Sequence, residues 1–213
     1  PYVQPIDGHS NILEVRREPD EAVAPFGGSW HSDWSFQETP PAATILHAKI
    51  IPPVGGDTLY ADGIAAYENL SESMRGELQD LQAIHSARRP YSHEGYEASG
   101  GPERTMTILP DDDAWATQLH PIIRTHPESG RKALWVNPVY TLSVHGMTEV
   151  ESTRLLDELF KHALSDEFIY AHKWQSNMLT MWDNRSVQHC AQGGYDGHRR
   201  VLHRTTLAGD EPV

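Results

Sequence analysis

Apolar positions along this chain recur at two spacings. "AATILHAKII", residues 42 to 51, alternates and is rich in β-branched residues, the pattern of a half-buried strand. A turn over Pro52 to Gly56 follows, then a short strand around Thr58 to Tyr60. From Ile64 to about Ile84 the spacing lengthens. Met74, Leu78 and Leu81 fall at helical intervals, with Ser71 as N-cap of the second part. "LHPIIRTHPESGRKALWVNP" predicts two short strands joined by a turn at Pro127 to Gly130. Thr148 and Glu151 make a capping box, and Leu155, Leu159 and Phe160 define the apolar face of a helix ending near Leu164. The tail returns to strand, Gly-rich turn and strand.

The polar stretches complete the outline. Residues 10 to 26 carry mixed charges and two prolines, which predicts a surface connection. Residues 92 to 114 are rich in Gly, Pro and acids without any period, which predicts a mobile lid loop. Many short strands with helices between them predict a mainly β fold with inserted helices on a jelly-roll core, a double-stranded β-helix. Repeats, low-complexity tracts and linkers are absent, so residues 1 to 213 read as one domain. The chain starts at Pro1 without methionine, and part of an N-terminal portion is expected to be missing.

Composition narrows the function classes. The formal charge of −13, with only 17 Lys and Arg, argues against nucleic acid and leaves room for a small anion held by one or two local arginines. No apolar run of membrane length and no signal peptide is evident, so no membrane partner is expected. The single cysteine, Cys190, excludes an internal disulfide and suggests a reducing, cytoplasmic setting that would preserve ferrous iron. A homo-oligomer is left open.

"SWHSDWSF", residues 29 to 36, carries the candidate chemistry. On a strand, His31 and Asp33 share a face while Trp30, Ser32 and Trp34 take the other. A buried carboxylate there costs several kcal/mol unless it is paired. A metal, a salt bridge or solvent would each serve. A metal needs a third ligand, and the tail offers His189, His198 and His203. His189 is the best placed, in an apolar strand-like segment just before a Gly-Gly turn. Two histidines and one carboxylate on one face of an octahedral ion suit non-haem Fe(II).

"WHSD", "GGDTLYADGIAAYE", "HPIIRTHPESGRKALWVN" and "WDNRSVQHCAQGGYDGHRRVLHRTTLAGDEP", in this order, resemble the TauD/TfdA family of Fe(II)- and 2-oxoglutarate-dependent dioxygenases. The resemblance implies His31, Asp33 and His189 as iron ligands and as the catalytic set. It implies Thr58 and Arg200 as the groups that hold 2-oxoglutarate, an arginine suiting a carboxylate through two parallel hydrogen bonds. Arg204, four residues beyond Arg200 and on the same strand face, would meet the anionic group of the substrate, with Phe36, Tyr91 and Tyr140 lining its pocket. Trp182 is a less secure match to that region and reads as core, Cys190 reads as a small hydrophobe, and Asn137 would orient a nearby loop.

The implied reaction consumes O₂ and 2-oxoglutarate, releases succinate and CO₂, and hydroxylates a C–H of a small anionic substrate. Alkylsulfonates, sulfate esters and aryloxyalkanoates are the implied classes. Asp33 fills the position that related halogenases leave for chloride, so hydroxylation is expected. The chain departs from the taurine enzymes at Gly27, where those carry an asparagine. Two other readings stand beside this one: a metal-dependent hydrolase using the same three ligands, and a non-catalytic jelly-roll binding protein.

Overall fold

The structure, a computed structural model, describes residues 2–213. Its frame is two facing sheets. The larger has the order β1–β2–β13–β3–β11, built from β1 (Pro5–Ile6), β2 (His9–Arg17), β3 (Ala43–Ile50), β11 (Leu179–Asp183) and β13 (Arg200–Leu207). The smaller, β10–β4–β12, is built from β4 (Thr58–Asp62), β10 (Ile169–His172) and β12 (Val187–Ala191). Every pairing in both is antiparallel. Alternation sets what lies between the sheets. Thr44, Leu46 and Ala48 of β3, Trp182 of β11 and Leu202 of β13 turn inward and are buried, whereas Leu179 and Met181 face out. Tyr60 and Val187 pack on this core from the smaller sheet. This is a jelly-roll arrangement, mainly β, as the spacing of short strands predicts.

Helices are inserted after β4 and before β10. The N-cap of α1 (Gly63–Glu68) is Asp62, whose carboxylate accepts from the backbone N–H of Ile64 and Ala65. Ser71 caps α2 (Glu72–Leu78) through the N–H of Met74. The capping box of Thr148 and Glu151 opens α5 (Glu149–Ala163), and such a cap stabilises by about 1 kcal/mol. Leu155, Leu156 and Leu159 of α5 bury against Leu78 and Ala66 and against a second set of strands. Those are β5 (Gln82–Ser86), β6 (Thr117–Pro121) and β9 (Thr141–Val144) in one sheet, with β7 (Ile123–Thr125) and β8 (Lys132–Leu134) as a separate hairpin. Truncating a fully buried leucine such as Leu159 costs about 2–5 kcal/mol.

Four expectations need correction. Residues 10 to 26 do not all form a surface connection, because β2 occupies their first half and pairs with β13. Its polar side chains hid it: Arg17 is held by hydrogen bonds to the carbonyls of Glu21 and Val23 and to Asp196, with its guanidinium 4.9 Å over the Tyr195 ring. Helix does not persist to Ile84. The apolar interval from Leu78 through Leu81 fits a helix, yet Gln82 begins β5, and Ile84 pairs with Leu119 and Ser143. Residues 29 to 36 are not a strand, since only His31 pairs, in an isolated bridge with His189, and the chain then turns with Trp34 at φ +47°. Residues 92 to 114 are not without structure. They carry the whole of α4 (His93–Ala98), which follows α3 (Arg88–Tyr91), and a 3₁₀ turn at Gly101–Glu103; another begins at Asp112.

Candidate metal centre

The His31–His189 bridge is what brings two imidazoles together. Each backbone N–H donates to the other residue's carbonyl, at 3.1 and 2.8 Å, so the side chains stand opposite one another with ring centroids 4.2 Å apart. The turn after Ser32 then returns Asp33 to the same spot. Its Oδ1 lies 3.6 Å from His31 Nε2 and 3.8 Å from His189 Nε2, and a ligand atom from each of the three residues falls within 4.8 Å of the others. These distances exceed hydrogen bonds and match what two ligand arms of about 2 Å each would span.

The protonation states suit a cation. His31 Nδ1 lies 2.7 Å from the Ser29 carbonyl, an acceptor only, so Nδ1 is the donor there and Nε2 is the nitrogen turned toward Asp33. Burial, with His31 alongside, lowers the His189 pKa to about 3, so its ring is neutral. Burial works against ionised Asp33, but the Arg204 guanidinium, together with His189 and His31, outweighs it and holds the carboxyl well below the usual carboxylate range. Arg204 Nη2 is 2.9 Å from Oδ1, a charge contact whose angle does not make a hydrogen bond. Two imidazoles and an ionised carboxylate converge without satisfying one another. That donor set fits a divalent transition metal, and a facial set of this kind fits Fe(II).

Two cavities meet at this point, sharing Phe26, Gly27, His31, Asp33 and Arg204. The inner one, about 50 Å³, runs between the sheets to Thr58 and Arg200. Arg200, Leu202 and Arg204 project from one face of β13, which aims both guanidinium groups inward. Arg200 is 5 % exposed; its Nη2 donates to the Gly56 carbonyl at 3.1 Å and its buried Nε has no partner. No carboxylate among the described residues forms an ion pair with it. Gly56, at φ +72°, lets the backbone approach this closely, since a Cβ there would stand 3.2 Å from Arg200 Nε. Thr58 accepts a hydrogen bond from Trp174 Nε1 at 3.0 Å, which leaves its own O–H free to donate into the cavity.

The outer cavity, about 460 Å³, is walled by Tyr91, Tyr140, Ile108 and Val139 and carries Arg89 and Arg104. Among the described residues those two arginines donate only to carbonyls, Arg89 to Pro138 and Thr141, Arg104 to Ala24 and Ser99. Phe36 does not reach the cavity. It stands behind the wall, 5.1 Å from the Tyr140 ring and 5.8 Å from that of Tyr2, which itself stacks on Tyr91 at 4.8 Å. Trp182 lies in the core, 4.5 Å from the His189 ring, and Cys190 is buried against the Gly28 carbonyl. Asn137 donates to Ser35 Oγ at 2.9 Å and accepts from the Tyr140 N–H, tying the Asp33 turn to the loop that carries Tyr140. His198 lies outside both cavities, and His203 faces Glu14 at 3.7 Å.

Sequence reasoning passed over Arg89, Arg104, Thr44 and Asn184. Asn184 lies inside the "WDNR" stretch, but its contact to Thr44 spans 140 positions, and no local pattern reports that.

A mainly β jelly roll with two histidines and a carboxylate beside a buried arginine that forms no ion pair among the described residues defines a class: jelly-roll proteins built to hold a divalent metal next to an anion. Within it, the chain belongs to the family described as taurine catabolism dioxygenase TauD, TfdA, which matches residues 1–206. It is 35% identical over 207 residues to the alpha-ketoglutarate-dependent 2,4-dichlorophenoxyacetate dioxygenase of Cupriavidus pinatubonensis, covering 93% of this chain and 67% of that protein. It is 32% identical over 216 residues to the alpha-ketoglutarate-dependent sulfate ester dioxygenase of Pseudomonas putida, covering 100% of this chain and 69% of that one. A taurine dioxygenase crystal structure from Burkholderia xenovorans superposes with a TM-score of 0.79 at 33% identity, over 100% of this chain and 67% of that chain. The chain spans only 44% of a Schizosaccharomyces pombe relative that is 38% identical to it. Among the described residues, no helix is long and apolar enough to cross a membrane.

Proposed function

We propose that the protein is an Fe(II)- and 2-oxoglutarate-dependent dioxygenase that hydroxylates a C–H of a small organic anion of the alkylsulfonate, sulfate ester or aryloxyalkanoate class. His31, Asp33 and His189 hold the metal. Thr58 donates its hydroxyl to 2-oxoglutarate, and Arg200 takes the far carboxylate. Iron at this site supplies the O₂ chemistry that couples loss of CO₂ from 2-oxoglutarate, leaving succinate, to hydroxylation. The chain's own task is placement and exclusion of water. Arg204 draws the anionic end of the substrate toward Asp33, while Tyr91 and Tyr140 pack against its carbon skeleton with Phe36 behind them. Residues 92 to 114 wall the outer cavity through Ser99, Arg104 and Ile108 and act as its lid. Ferrous iron persists in a reducing compartment, which makes the cytoplasm the expected setting.

One observation carries this reading: a guanidinium buried beside the triad without a counter-ion. Leaving such a charge unpaired is costly, so the cavity is built for an anion that arrives from outside. A hydrolase with zinc on the same ligands gives that arginine no task. Anaerobic addition of Fe(II) and then 2-oxoglutarate tests the proposal. A visible metal-to-ligand charge-transfer band is expected, shifting when a substrate of the right class is added. Bound metal with no band would overturn it.

A further inference from the structure

We infer that Thr44 and Asn184 are positioning residues that commit one oxygen of Asp33 and leave the other for the metal. The directions of the hydrogen bonds force this. Asn184 Oδ1 faces two groups that can only donate, the Asp33 backbone N–H at 3.3 Å and Trp182 Nε1 at 3.0 Å. That end of the amide is therefore the oxygen, and the other end is the NH₂, which donates to Thr44 Oγ1 at 2.8 Å. With its oxygen accepting there, the Thr44 hydroxyl has one proton to give, and Asp33 Oδ2 lies 2.5 Å away to take it. Donation thus runs one way, from Trp182 through Asn184 and Thr44 to Asp33 Oδ2.

The chain of bonds is rigid at each joint. Thr44 and Asn184 are fully buried, and Trp182 pairs with Thr44 across β11 and β3. The Asn184 backbone is held at both ends, its N–H donating to the Ala42 carbonyl and its carbonyl accepting from Trp135 Nε1, each at 2.9 Å. The oxygen left over, Oδ1, is the one that faces His31, His189 and Arg204. Asp33 is therefore set to bind a metal through Oδ1 alone. A carboxylate free to use both oxygens would take a further coordination position, and Thr44 keeps that position open.

The inference rests on the metal reading of the triad, so its test reads metal binding rather than turnover. Wild type, Thr44→Val and Thr44→Ser are titrated anaerobically with Co(II), and the visible absorption of bound Co(II) reports its coordination number. Thr44→Val, equal in shape but without a donor, is expected to bind about 10-fold more weakly and with an altered spectrum. Thr44→Ser should restore both. Should Thr44→Val fail to fold, Thr44→Cys, a weaker donor, is expected to bind the metal more weakly than wild type and Thr44→Ser do, with an altered spectrum. Wild-type affinity and spectrum in Thr44→Val, or in Thr44→Cys where that variant is used, would overturn the inference alone. A wild-type protein that takes up no metal would overturn the functional reading and this inference with it.

Discussion

Among the described residues, two clusters bring histidine and carboxylate side chains close enough to hold a cation, and they differ in what has been left unmade. One is His126, Glu128 and Asp183, the other His31, Asp33 and His189. In the first, Arg185 stands in the middle. Its Nη1 and Nη2 donate to the two oxygens of Glu128, both at 3.0 Å, while Nε and Nη2 take Asp183 at 2.9 and 2.7 Å. His126 closes on Asp183 at 2.9 Å. The same residue types there form a finished clamp between the Pro127 to Gly130 turn and the end of β11. In the second cluster the histidines stop 3.6 and 3.8 Å short of the carboxylate. A ligand site differs from an ion-pair network in having donors that converge without satisfying one another.

The largest effect should come from breaking the open cluster. His31→Ala is expected to abolish Fe(II) binding and turnover while leaving the fold largely intact, and Glu128→Ala to leave both functions unchanged. Metal titration of the two variants decides it. Equal metal loss in both would erase the distinction drawn here.

Arg200→Ala is next. A charge-assisted pair of hydrogen bonds contributes about 1.5–3 kcal/mol, so the 2-oxoglutarate requirement should rise about 10- to 100-fold. The KM for the primary substrate should hardly move. Co-substrate saturation curves check this, and an unchanged requirement would remove Arg200 from its role.

The clamp should reveal itself as stability rather than as metal affinity. Asp183→Asn is expected to cost about 1 kcal/mol, kept small because the Asp183 side chain is 32 % exposed. Burial disfavours ionised Asp183, but hydrogen bonds from Arg185 and His126 outweigh it and lower the pKa to about 2 from 3.8. Above pH 3.8 the stabilisation is fully present. As pH falls below that, the unfolded chain takes up a proton that the folded chain does not, so the contribution shrinks and is lost through pH 2. Thermal melts of wild type and Asp183→Asn should therefore converge between pH 5 and about pH 2. A gap that widens would refute the clamp.

The two clusters were unequally legible in the sequence. Both sit in stretches quoted for their family resemblance, yet only the HxD spacing, with a histidine in a later strand-like segment, gave a physical reason to expect a metal. The reason was partly wrong. His31 and Asp33 do not share a strand face; they are gathered by a backbone bridge to His189 and a turn at Trp34. Strand alternation did report Arg200 and Arg204 truthfully, because β13 is regular along its own length. It missed β2, whose inward Arg17 is held by polar partners, and it missed the start of β5, where leucine spacing continues the rhythm of α2. What no pattern could report was that Arg185 would tie both carboxylates of one cluster into hydrogen bonds while Arg204 meets Asp33 of the other without making one, since those partners meet only in three dimensions.

The smallest expected effect tests how tightly the open cluster is fitted. Gly27 lies where the two cavities join, at φ +73°, and a Cβ there would stand 3.3 Å from His31 Cε1. Its carbonyl accepts from the Ala191 N–H at 2.9 Å, so the loop is tied to β12 and cannot simply swing away. Gly27→Asn uses the side chain that best tolerates the left-handed region, at a strain of about 1 kcal/mol, and requires the His31 ring to yield by a few tenths of an ångström. Metal affinity should fall by less than about 10-fold. The new amide would stand at the cavity mouth, where the family resemblance implies an asparagine in taurine-acting members. Short amine-bearing sulfonates should then compete better for the 2-oxoglutarate charge-transfer shift than they do in the wild type. If Gly27→Asn matches the wild type in melting, metal affinity and sulfonate preference, the open cluster has slack at His31, and its close fit to a metal is lost as an argument.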